Sequence, residues 1–209
     1  MSLEELREQN KKLTIEKALE LFIKNGVDQT TVKDIATAAG LTERSVYRYF
    51  SSKADLVLAT AFLFWERISA RVEKLVSEKG YQGMSGIEQV DIMLRFYAGL
   101  YMENPDSVRF ILNCETALYN AGIYADIQKR PPGRFEDSNS PMVRAIMAGL
   151  ADGSISPDVD VKEIYYNAYD AILGTMQRQV MGSTLCDLDS GQRMAHLCDL
   201  FISAFQGKI

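Results

Sequence analysis

Apolar side chains recur every three to four residues along almost the whole chain. Ile15, Ala18, Leu19 and Phe22 fall at i, i+3, i+4 and i+7, the spacing of one helix face, and predict an amphipathic helix over about residues 4–25. Asn25-Gly26 closes it, since both residues tolerate the left-handed backbone found past helix ends. Thr31 is placed to cap a short second helix that carries Val32, Ile35, Ala36 and Ala39 inward. Gly40 breaks that helix, and Thr42 caps a third running through Phe50. Ser51 or Ser52 opens a long fourth helix to about Lys79. Beyond the Gly-rich stretch Lys79–Gly86, the periodicity predicts helices near 87–103, 105–121, 141–151, 160–182 and 189–206. Pro105 suits a first helical turn, where its missing N–H costs nothing. Gly122–Pro141 and ADGSISPDVD read as a long loop and a turn-rich connector. No strand-length run alternates. The fold class expected is all-α, with about nine helices.

Composition and charge narrow the setting. Of the 209 residues, 47% are hydrophobic and 24% charged, an ordinary globular mixture with material for a core. No apolar run reaches the roughly 18 residues of a membrane span, and the polar start MSLEELREQNKK is unlike a secretory signal. The three cysteines (Cys114, Cys186, Cys198) and the sole histidine, His196, stand at no metal-ligand spacing. The expectation is a cytoplasmic protein without metal or cofactor and with no membrane partner. Net charge is −5, unevenly distributed. Residues 1–53 carry nine Lys/Arg against eight Asp/Glu, whereas 54–209 carry fourteen against twenty. A less acidic head on an acidic body is compatible with DNA binding at one end.

Two short helices joined by a turn containing Gly40 make a helix-turn-helix, in which the second helix enters the major groove. Val32, Ile35, Ala36, Leu41, Val46 and Phe50 supply its small core. That leaves Glu43, Arg44, Ser45, Tyr47, Arg48 and Tyr49 facing outward. The stretch TIEKALELFIKNGVDQTTVKDIATAAGLTERSVYRYFSSKADL, about residues 14–56, resembles the DNA-binding domain of the tetracycline-repressor-like (TetR) family. The likeness rests on A-L-E-L-F…G, T-T-V-K-D-I-A-T-A-A-G and S-V-Y-R-Y-F-S-S-K-A-D-L in register.

The resemblance implies a DNA-binding domain at 1–53 and a helical ligand-binding and dimerisation domain at 54–209. It implies an Ω-like homodimer on a palindromic operator, with a small-molecule effector in the body. By the same resemblance Thr31 and Lys33 lie at the start of the second helix, where the family reaches groove or backbone. Thr42, Glu43, Arg44 and Ser45 occupy the base-reading turn, Tyr47, Arg48 and Tyr49 follow it, and Lys53 holds the backbone. Glu43-Arg44 departs from the small residues frequent there, so the family's base preference does not carry over. From chemistry alone, Glu43 either accepts from cytosine or simply sits on the helix dipole. Arg44 either reads guanine or contacts phosphate.

The body is rich in aromatics and methionine at helical spacing, a pattern that is more often core than pocket. A mixed aromatic and polar cavity nevertheless suits a drug-sized, partly aromatic or apolar effector. The lining residues expected are Trp65, Phe96, Tyr97, Phe110, Cys114, Met147, Tyr166, Tyr169 and Asp170. Apolar stripes on the last two helices predict a four-helix interface about a two-fold axis. Its expected residues are Ala168, Ala171, Ile172, Thr175, Met194, Leu197, Cys198, Phe201 and Phe205. No nucleophile–base pair or Gly-rich phosphate loop supports an enzyme. The reading is a ligand-relieved repressor. Its rivals are an activator or regulator without a small-molecule ligand and, more remotely, a helical ligand carrier that does not bind DNA. That last would leave Arg44, Tyr47 and Lys53 unexplained.

Overall fold

The computed structural model describes residues 2–123, 135–182 and 189–209. The expected loop at 122–141 therefore lies mostly outside the described residues, as does Cys186. The described residues form ten helices and no strand: α1 Leu3–Asn25, α2 Val32–Ala38, α3 Glu43–Tyr47, α4 Lys53–Val76, α5 Lys79–Gln82, α6 Gly86–Glu103, α7 Pro105–Asn120, α8 Pro141–Asp152, α9 Val161–Val180 and α10 Ser190–Phe205. The all-α expectation holds. The one helix missed among the described residues is α5, a single turn of KGYQ in the Gly-rich stretch. Its four residues are too few to show helical periodicity.

Helix starts follow local chemistry. Ser2 and Glu5 form a capping box that opens α1, with Ser2 N–H donating to Glu5 Oε2 at 2.9 Å. Thr31 and Asp34 repeat it at α2, and Ser85 and Glu88 at α6. Hydrogen bonds from the Thr31 side chain and backbone hold the Asp34 carboxyl below the usual carboxylate range.

Contacts divide the chain into two compact units, Met1–Ile68 with Arg109–Pro131 and Ser69–Val108 with Pro132–Ile209. The expected head at 1–53 lies inside the first. Its core takes Ala18, Leu19 and Phe22 from α1, Val32, Ile35 and Ala36 from α2, and Val46 and Phe50 from the α3 region. Phe110 of α7 packs within this unit, 6.5 Å from Phe22 and 5.6 Å from Phe64 between ring centroids.

In the second unit α6 is the centre, packed against α8, α9 and α10. Gly86 and Gly149 let α6 and α8 touch backbone to backbone. A Cβ on Gly86 would stand 2.0 Å from the Gly149 nitrogen and 2.6 Å from the Ala145 carbonyl oxygen. The first free N–H groups of α6 are satisfied from the end of α8: Gly86 donates to Asp152 Oδ2 at 2.7 Å and Ile87 to Ser154 Oγ at 3.0 Å. Arg95 ties α6 to α10 by pairing with both Asp91 and Asp199.

Candidate nucleic-acid interface

The helix-turn-helix is built by two threonine caps and one glycine. Thr31 Oγ1 accepts from Asp34 N–H at 3.1 Å and donates to Asp34 Oδ2 at 2.6 Å. At the end of α2, Leu41 N–H reaches back to the Ala36 carbonyl and Gly40 N–H to that of Thr37. This double closure puts Gly40 at φ +66°, in the left-handed region. A Cβ there would meet nothing within 4 Å, so glycine is required by conformation and not by space. Thr42 then accepts from Ser45 N–H at 3.1 Å, and its hydroxyl lies 2.9 Å from that of Ser45.

The recognition helix is shorter than the 43–50 expected. Regular α-helix stops at Tyr47, because Tyr49 N–H bonds three residues back to Val46, tightening the last turn. Val46 and Phe50 remain buried as expected, while Leu41 is half-buried. Glu43, Arg44, Tyr47 and Arg48 are exposed, and Ser45 and Tyr49 are half-buried. Tyr47 is 49% exposed, so its ring belongs to the surface and not to the small core. Thr31 and Lys33 are also exposed, and Lys53, the first residue of α4, is half-buried. Arg48 stacks over the Tyr49 ring at 5.9 Å. Among the described residues Lys33, Arg44, Arg48 and Lys53 make no ion pair within the chain. Exposed cations with hydroxyls and a phenol supply the chemistry that grips phosphate and reads base edges.

The residues expected to line an effector site are divided between the two units. Trp65, Phe110 and Cys114 belong to the first unit, and Phe96, Tyr97, Met147, Tyr166, Tyr169 and Asp170 to the second. Phe110 and Cys114 are each 1% exposed. Phe110 is occupied by the packing against Phe22 and Phe64, and burial raises the Cys114 thiol well above its usual range. Met147 points off the outer side of α8, 45% exposed. Tyr166 and Asp170 are on the exposed side of α9. The Tyr166 hydroxyl accepts from Phe135 N–H at 3.1 Å, and Lys162 pairs with Glu136, so the stretch after residue 134 is fastened to α9. The inward face of α9 instead carries Tyr165, Ala168, Ile172, Met176 and Gln179. Tyr165 packs edge-on against Phe135 and Tyr166, and Phe96 edge-on against Tyr97, whose hydroxyl burial pushes up to about 12.

The residues expected at a dimer interface divide by burial. Ala168, Ile172, Met194, Cys198 and Phe205 are buried within one chain, where they fill the second unit's core. Ala171, Thr175, Leu197 and Phe201 remain partly exposed, beside Leu200 at 51%. Sequence reasoning missed Gln179. It is 7% exposed, and neither its amide oxygen nor its nitrogen has a hydrogen-bond partner. A lone polar residue at the end of an apolar stripe was its only signal.

No group of three His, Cys, Asp or Glu able to hold a metal occurs among the described residues, and none of their helices is long and apolar enough to cross a membrane. Residues 15–60 match the model for bacterial regulatory proteins of the tetR family. The chain is 27% identical over 157 residues to the HTH-type transcriptional repressor KstR2 of Mycolicibacterium smegmatis, covering 71% of this chain and 68% of that one. Over 45 residues, 22% of this chain and 21% of the relative, it is 49% identical to the HTH-type transcriptional regulator TtgR of Pseudomonas putida. Among solved structures, a TetR transcription regulator from Haloarcula marismortui superposes with a TM-score of 0.74 at 18% identity, covering 95% of this chain and 98% of the other. Family model, relatives and fold agree with the geometry of the capped, cationic helix-turn-helix: residues 15–60 are similar to the DNA-binding segment of tetR-family regulators, and the chain shares its fold with a solved regulator of that type.

Proposed function

We propose that this protein is a cytoplasmic homodimeric repressor that holds a palindromic operator and is released from it by a small, partly aromatic or apolar effector. The observation that carries the DNA half is the surface of α3 and its C-terminal end, where Arg44, Tyr47 and Arg48 stand exposed and, among the described residues, no carboxylate pairs with either guanidinium. Selection of bound duplexes from a random pool tests it: enrichment of an inverted repeat is expected, and no enrichment overturns it. On the selected operator, Lys53→Ala and Tyr47→Phe are expected to weaken all sequences about equally, since phosphate contacts position without specifying. Arg44→Ala is expected to change which base is preferred, by about 1–3 kcal/mol at one position. Loss of base preference in Lys53→Ala but not in Arg44→Ala would reverse the two roles.

The effector half rests on Gln179. Leaving a buried amide unpaired costs about 1–3 kcal/mol for each unmet group. A ligand with a donor and an acceptor beside an apolar body would recover that cost on binding the second unit. Gln179→Leu is therefore expected to raise the stability of the free protein, read as the denaturant midpoint, and to weaken effector release of the operator. A variant less stable than the parent, yet fully released by effector, would remove Gln179 from the reading. Linkage requires that operator weaken effector binding by the same factor by which effector weakens operator binding, typically about 5–150-fold. Isothermal titration into free and operator-bound protein measures both.

A further inference from the structure

Beside the recognition segment lies an open groove of about 440 Å³, lined by Leu3, Leu6, Arg7 and Asn10 of α1 and by Arg48 and Tyr49. The α1 residues stand at i, i+3, i+4 and i+7, one face of the helix. That face continues toward Thr14 and Ala18, which are buried in the head. The first two turns of α1 thus carry the inner face of the helix past the packed core, where it ends unpartnered. Leu3 is 88% exposed and Leu6 39%. All four α1 residues precede residue 15, where the family match begins.

The lining holds two guanidiniums, an amide and a phenol but no carboxylate. Among the described residues neither Arg7 nor Arg48 is in an ion pair. The lining therefore favours an anionic occupant. The groove also shares Arg48 and Tyr49 with the outward surface of the recognition segment, so whatever α3 binds runs on into it.

We infer that the groove seats the sugar–phosphate backbone of the operator just outside the bases read by α3, with Arg7 and Arg48 on phosphate oxygens. Leu3 and Leu6 then lie along deoxyribose. Their apolar walls keep water from the guanidinium–phosphate contact and strengthen it. This rests on α3 being the DNA-reading helix and adds a second, sequence-independent footing at its flank.

Affinity for the selected operator is measured on two duplexes, one ending at the outer edge of the inverted repeat and one extended by several base pairs at both ends. The parent is expected to prefer the extended duplex. Arg7→Ala should erase that preference, lowering affinity for the extended duplex about tenfold while leaving the short duplex and the base preference unchanged. Losing one phosphate contact per subunit should also make the log–log salt slope shallower by about 2 for a dimer. Arg7→Lys, which keeps the charge, should restore most of the slope. Unchanged affinity and slope in Arg7→Ala on the extended duplex would overturn the inference and leave α3's role intact. A parent protein that binds neither duplex better than random DNA would overturn both.

Discussion

Leu200→Glu with Phe201→Glu should leave the protein folded but convert it to monomers of 23.4 kDa and cost at least about a hundredfold in operator affinity. The buried side of α10, with Met194, Cys198 and Phe205, is occupied by the chain's own core, so charges there would simply unfold it. Leu200 is 51% exposed, and Phe201 and Leu197 are partly so. On α9, Ala171, Gly174 and Thr175 offer a partly exposed surface small enough for close approach of a second helix. Two half-sites held by one dimer gain avidity of about 10²–10⁴ over a single head, and that gain is what the charges remove. Light scattering and operator titration read the two effects separately. A variant that remains dimeric would place the interface elsewhere, and a parent that is itself monomeric at micromolar concentration would end the dimer reading.

Two glycines of α6 should respond to the same substitution with opposite signs. Gly86→Ala drives a methyl group to 2.0 Å from the Gly149 nitrogen and 2.3 Å from its Cα, both backbone atoms that cannot turn aside. Separating α6 from α8 is expected to cost about 3 kcal/mol or more, at the upper end of overpacking effects. In a chain of this length that lowers Tm by about 6–12 °C. Gly99→Ala meets nothing within 4 Å and lies inside the same helix, so it should stabilise by up to about 1 kcal/mol. Denaturant unfolding of both variants is the check. A Gly86→Ala midpoint within error of the parent would mean that the two helices are not in backbone contact.

The contrast between what the sequence foretold and what it hid follows the range of the forces. Caps and turns act over three or four residues, so Thr31, Gly40 and Thr42 announced the helix-turn-helix in one short stretch, and the structure places each as expected. The identity of the inward face is a long-range matter. On α9 both Ala168/Ile172 and Ala171/Thr175 have helical spacing, and only the position of α6 and α10 decides that the first pair turns inward. The packing partners of the aromatics are long-range in the same way. Phe110 looked like a pocket residue of the body, yet it packs with Phe22, from a helix more than eighty positions earlier. Gln179 was unreadable because an amide on an amphipathic helix normally faces water, and burial without a partner is visible only in three dimensions.

The brevity of α3 bears on how such a regulator acquires new targets. Five residues cannot hold a helix by themselves, so its shape is imposed by Thr42, Val46 and Phe50 together with the turn at Gly40. Glu43 and Arg44 carry none of that burden: both are exposed and, among the described residues, paired with no charge. Replacing them should change stability by no more than about 0.5 kcal/mol, the usual cost at an exposed position. Mutation can therefore rewrite the operator preference of this head one side chain at a time, with the protein remaining folded at every intermediate step.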